Sequence, residues 1–146
     1  MKKIAVFLFE GAELFEIASF TDIFGWNNIV GLKEFRDIKV ETISYKESIK
    51  CTWGGKIKVE KVITEENIGK FFDYDILVIP GGFGKANFFE GKNNEIFKKL
   101  IKYFSESNKI IVAICSAVIN LLESGYIKNK KVTTYLLDNK RYFNQL

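Results

Sequence analysis

Residues 109–117 read KIIVAICSA, an unbroken apolar run that ends on a cysteine and passes into small residues. Two companions, KIAVFLF (3–9) and YDILVIP (74–80), are nearly as continuous. A strand with one wet face alternates apolar and polar side chains, so continuous Val/Ile runs indicate strands covered on both faces. Amphipathic stretches lie between these runs. Residues 13–30 offer Leu14, Ile17, Ala18, Phe24 and Ile29 for a packed helical face, and residues 93–106 carry Ile96, Phe97, Leu100, Ile101 and Phe104 at helical spacing. DIKVETISY (37–45) reads as a further strand. WGGKIKVEKVI (53–63) reads as a turn into an alternating strand of a hairpin, 116–124 as a helix, and KKVTTYL (130–136) as a last strand. This alternation predicts an α/β fold with a mostly parallel central sheet between layers of helices.

The 146 residues, 47% of them hydrophobic, suffice for one domain with its own core. Twenty-two basic and 18 acidic residues give a net charge of +4, and no basic cluster is interleaved with aromatics, so nucleic-acid binding is not expected. The opening MKK imitates a signal peptide, but the apolar run lasts only from Ile4 to Phe9, and no small-residue cleavage site follows closely. No stretch approaches the ~18 apolar residues of a membrane span. Two cysteines, Cys51 and Cys115, make no disulfide framework, so a cytoplasmic chain with reduced thiols is expected. Histidine is absent, which removes His-based acid/base catalysis and His metal ligands together, and no metal is expected.

Open α/β sheets bind ligands beyond the carboxyl ends of their strands. Three features fall there: Glu10–Glu16, PGGFG (80–84) and Cys115. Cys115 stands between a strand and a helix start, a nucleophile-elbow arrangement whose tight turn suits Ala113, Ser116 and Ala117. A helix N-terminus there is expected to lower the thiol pKa; the alternative is an inert, buried cysteine. The glycines of PGGFG let backbone approach a ligand, or form an ordinary strand-to-helix turn. Glu16, set among Leu14, Phe15 and Ile17, needs a polar partner and could serve a thiolate; the alternative is a solvated first-turn acid.

Taken in order, EGAELFEIASFTDIF, YDILVIPGG, IIVAICSA and GYIKNKKVTTY resemble the ThiJ/PfpI superfamily, with its DJ-one-like branch. The resemblance implies a flavodoxin-like three-layer sandwich, usually dimeric, without metal or organic cofactor. It implies Cys115 as nucleophile, Glu16 as its carboxyl partner, and the backbone N–H groups of Gly82 and Ser116 as an oxyanion pocket. Three departures stand out. Ser116 replaces the His that follows the cysteine in the protease-like branch, so a Cys–His protease is not expected. Tyr135 occupies the position of the His after VTT and is left as a substrate-binding group. Family members also normally continue for another strand and helix, so the single domain 1–146 is expected to lack that final unit.

The implied activity is glyoxalase- or deglycase-like chemistry on small reactive carbonyls, with reduced competence for want of the His. The alternatives are an isocyanide-hydratase-like lyase and a non-enzymatic cysteine redox sensor protective in oxidative stress. Expected partners are a small-molecule substrate or oxidant and a second copy of the chain. The apolar residues of the tail, Leu136, Leu137, Tyr142, Phe143 and Leu146, are expected at that homodimer interface.

Overall fold

A computed structural model of the chain describes residues 1–126 and 129–134. Its centre is a five-stranded sheet in the order β5–β2–β1–β6–β7. The strands are β1 (Lys2–Phe7), β2 (Ile38–Ser44), β5 (Lys61–Val62), β6 (Ile76–Ile79) and β7 (Ile110–Ala113), and every pairing is parallel. A separate antiparallel hairpin joins β3 (Ser48–Lys50) to β4 (Lys56–Lys58). Helices α1 (Leu14–Val30), α2 (Glu95–Glu106) and α3 (Ala117–Glu123) flank the sheet. This is the expected three-layer α/β architecture.

The pleat of β1 divides the core. Ala5 and Phe7 point to one face, with Phe9 continuing the alternation, and pack with Leu77, Ile79 and the α2 residues Phe97, Leu100, Ile101 and Phe104. Ile4 and Val6, with Leu8 beyond them, face the other way onto Val78 and the α1 residue Ile17. Both faces are apolar because both are covered, which is why the strand read as a continuous run.

Three expectations need correction. The strand at 53–63 divides between two sheets, β4 in the hairpin and β5 beside β2. The break falls at Glu60, whose N–H donates to the Thr42 hydroxyl at 3.1 Å while its carboxylate accepts the Thr42 N–H at 2.6 Å. Of the face expected for α1, Ile17 is buried and Ala18 and Phe24 half-buried, but Leu14 and Ile29 are exposed. Apolar residues ring this helix on all sides, so the sequence held no unique packed face. Residues 131–134 of the expected last strand form no strand, and Tyr135 and Leu136 lie outside the described residues. The tail expected at a dimer interface lies outside them too.

Candidate active site

The chain leaves β1 for β2 and β5 on one side, then returns to β6 and β7 on the other. The switch point therefore lies between β1 and β6, where an open parallel sheet opens a crevice at its carboxyl ends. Glu16, the Gly81–Gly82 pair and Cys115 converge there.

Beyond Ala113 the backbone turns sharply. Ile114 N–H still donates to Ile79 C=O at 3.2 Å, and Ala117 N–H donates back to Ile114 C=O at 2.9 Å, closing the elbow. Cys115 at its apex has φ +52°, a left-handed conformation costly for a side-chain-bearing residue. The strain holds the thiol out of the sheet, and Cys115 is exposed whereas Cys51 is buried.

Glu16 reaches the thiol from the first turn of α1. Glu13 N–H donates to Gly81 C=O at 2.8 Å, and Gly81 N–H donates to Glu16 Oε2 at 2.6 Å. Position 81 admits no side chain: a Cβ would lie 2.8 Å from Cys115 Cβ, 2.8 Å from Ile114 O and 3.0 Å from Glu16 Oε2. Gly81 is thus the spacer that lets the Glu16 carboxyl and the Cys115 side chain approach each other. Glycine after a strand was visible in the sequence, but which of two glycines lies between the Cys115 and Glu16 side chains was not.

Gly82 serves differently from the expected oxyanion donor. Its N–H is already donated to Ser116 Oγ at 2.9 Å, and that hydroxyl donates back to Gly82 C=O at 2.7 Å. This reciprocal pair locks the β6 loop to the elbow and keeps Ser116 buried. The Ser116 backbone N–H lies beside the Cys115 sulfur and favours its ionised form. Thr134, which sequence reasoning did not single out, donates its hydroxyl to Cys115 C=O at 2.9 Å. Tyr135, the next residue, lies outside the described residues.

The thiol pKa departs from expectation in its direction. Although the residue is exposed, partial desolvation of its sulfur raises the pKa and the nearby Glu16 carboxylate raises it further, outweighing the Ser116 backbone N–H that lowers it. Cys115 therefore holds its proton more firmly than a free cysteine, with the Glu16 carboxyl beside it.

Among the described residues, no group of three or more His, Cys, Asp or Glu side chains could hold a metal ion. Among them, no helix is long and apolar enough to cross a membrane. A groove of 610 Å³ along β7 and α3 does not include Cys115 or Glu16 in its lining.

The chain belongs to the DJ-1/PfpI family, whose model matches residues 2–144. Protein MJ0967 of Methanocaldococcus jannaschii is 32% identical over 123 residues, covering 73% of this chain and 57% of its own length. Protein DJ-1 homolog B of Arabidopsis thaliana is 38% identical over 63 residues, covering 42% of this chain and 14% of its own. The crystal structure of Drosophila melanogaster DJ-1beta superposes with a TM-score of 0.76 at 23% identity, over 99% of this chain and 69% of that one. That likeness shows the flavodoxin-like fold. The chain spans little more than half the length of the first curated relative.

Proposed function

We propose that Cys115 and Glu16 form a nucleophile–proton-carrier pair acting on small reactive carbonyl compounds, converting an α-oxoaldehyde and water to a 2-hydroxy acid. The observation that carries this reading is the approach of the Cys115 side chain and the Glu16 carboxyl to either side of Gly81, where a Cβ would lie 2.8 Å from Cys115 Cβ and 3.0 Å from Glu16 Oε2. Glu16 takes the thiol proton as sulfur bonds to the aldehyde carbon, and gives it to the resulting alkoxide. The carboxylate then removes the hydrogen from that carbon and returns it to the adjacent one, through an enediol. The product is a thioester of the 2-hydroxy acid, which water hydrolyses to free acid and thiol. No redox partner is consumed. Ser116 N–H supplies a fixed donor to sulfur. Family members use a His for part of the proton traffic; the chain has none, so turnover is expected to be slow, by roughly 10²–10⁴-fold for the lost acid/base help.

A second reading rests on the exposure of the same thiol. Oxidant access to Cys115 with a carboxyl and a backbone N–H at hand suits a sulfinate-forming sensor. The two readings separate on one variant. Glu16→Gln removes the charge that raises the thiol pKa, so the midpoint of a pH series of iodoacetamide labelling at Cys115 moves down. Conversion of methylglyoxal to lactate, followed by NMR, is lost in the same variant and in Cys115→Ala. Turnover that survives Cys115→Ala overturns the mechanism. Absent turnover in the wild-type chain, with peroxide converting Cys115 stoichiometrically to sulfinate, favours the sensor.

A further inference from the structure

Two solvent-exposed aromatic residues, one of them directly after the Gly81–Gly82 pair, stack on each other. Trp53 is 80% exposed and Phe83 39% exposed, and their rings stack 5.9 Å apart at an interplanar angle of 28°. Aromatic side chains ordinarily bury 150–250 Å² each, and single exposed ones are unremarkable. This pair is different because the backbone pins it in place. Phe83 directly follows Gly82, whose N–H and C=O are both bonded to Ser116 beside Cys115. Phe83 N–H donates to Gly11 C=O at 3.3 Å. The same carbonyl accepts the Thr52 hydroxyl at 2.7 Å, and Thr52 N–H donates to Ala12 C=O at 3.0 Å. Gly11 and Ala12 lead directly into Glu13 and the turn that carries Glu16. The hairpin tip is itself shaped by Gly54 and Gly55, at φ +101° and +72°, and closed by Cys51 N–H to Gly55 C=O at 3.0 Å. One acceptor, Gly11 C=O, thus ties both aromatic residues to the segment that delivers the carboxyl.

We infer that Trp53 and Phe83 are a platform selecting electrophiles that carry an aromatic or other planar apolar substituent over those carrying a methyl group. A stacked pair open to solvent offers ring surface to a third planar group, and offset stacking adds to the area it buries. This inference rests on the reading of Cys115 as the nucleophile and names the substrate class of that site: aryl rather than alkyl α-oxoaldehydes.

The test measures selectivity at sulfur without requiring turnover. Cys115 is alkylated in parallel with iodoacetamide and N-benzyl iodoacetamide, each time forming a thioether and releasing iodide and a proton. Labelling is followed by mass mapping, with glutathione as the reference thiol. The benzyl-to-parent rate ratio at Cys115 is expected to exceed that of glutathione about tenfold, a difference of about 1.4 kcal/mol. Trp53→Ala and Phe83→Ala bring it to the reference value, while Trp53→Phe keeps part of it. All three variants change exposed side chains, and their melting curves are recorded to confirm folding. A wild-type ratio equal to that of glutathione overturns the platform, even if methylglyoxal is turned over well. A raised ratio that the variants abolish sustains the platform even if no carbonyl compound is turned over, in which case only the proposed activity fails.

Discussion

Helices α1 and α2 cover opposite faces of one sheet and do so in opposite ways. Helix α2 turns Phe97, Leu100, Ile101 and Phe104 inward, all fully buried, and is joined on its face by Ala117 and Leu121 of α3. Its start is fixed by the Asn94 side chain, which accepts the Ile96 and Phe97 N–H groups at 2.9 and 3.2 Å. Helix α1 is longer, at 17 residues, yet Ile17 is its one buried side chain. Phe15, Ile23, Trp26, Ile29 and Val30 are 63–82% exposed. The geometry of the layer explains part of this. Five strands ~4.8 Å apart span about 20 Å, whereas a helix with its side chains is about 10–12 Å wide. One helix cannot roof that face, and Val40, Ile76 and Val112 beneath it stay half-buried. The lesson is that a sheet apolar on both faces can be well sealed on one and thinly covered on the other.

The largest effect should separate the two faces directly. Phe97→Ala is expected to destabilise the chain by about 3–5 kcal/mol, since it leaves a cavity among packed rings. Trp26→Ala should stay within about 0.5 kcal/mol for the isolated chain. Urea unfolding at low protein concentration reads both; equal costs would break the comparison. The outward face of α1 carries no Lys or Arg and only Asp22 as an exposed acid.

A smaller effect lies at the margin of the sealed face, where Tyr74 OH donates to Glu41 Oε2 at 2.7 Å and Lys39 and Lys61 flank the carboxylate at 2.9 and 3.0 Å. Burial raises the Glu41 pKa, but these three hydrogen-bonding partners outweigh it and hold the value at about 2, against an ordinary 4.5. A depressed carboxyl stabilises the fold fully above pH 4.5, and that contribution drains away as pH falls towards 2. Its size is about 2–3 kcal/mol. Denaturation between pH 6 and 2 should show the loss, and Tyr74→Phe should shrink it; a Tyr74→Phe curve parallel to the wild-type one would remove Tyr74 from the account.

The smallest effect sharpens the comparison from within α3. Asn120 is fully buried and neither atom of its side-chain amide has a hydrogen-bond partner among the described residues. Unmet buried polar atoms cost about 1–3 kcal/mol, so Asn120→Leu should raise the melting temperature. A drop would show that the amide is satisfied in solution.

The sequence by itself determined the class of fold and the order of its parts. Continuous apolar runs specify doubly covered parallel strands, and the helical spacing of Phe97, Leu100, Ile101 and Phe104 specifies one face of α2 uniquely. Cys115 at a strand end and Glu16 amid apolar neighbours were legible too, because a thiol where a buried strand runs out and a carboxyl among apolar side chains each break a local pattern. Helix α1 was legible as a helix but not in its orientation, since apolar residues on every side leave periodicity nothing to choose between. Tertiary structure alone decided the rest. It placed Gly81 rather than Gly82 between thiol and carboxyl, spent the Gly82 N–H on Ser116, and divided 53–63 between two sheets. It also reversed the expected direction of the Cys115 pKa. These outcomes depend on distances between residues far apart in the chain, and on the balance of burial against a handful of hydrogen bonds, which no local pattern encodes.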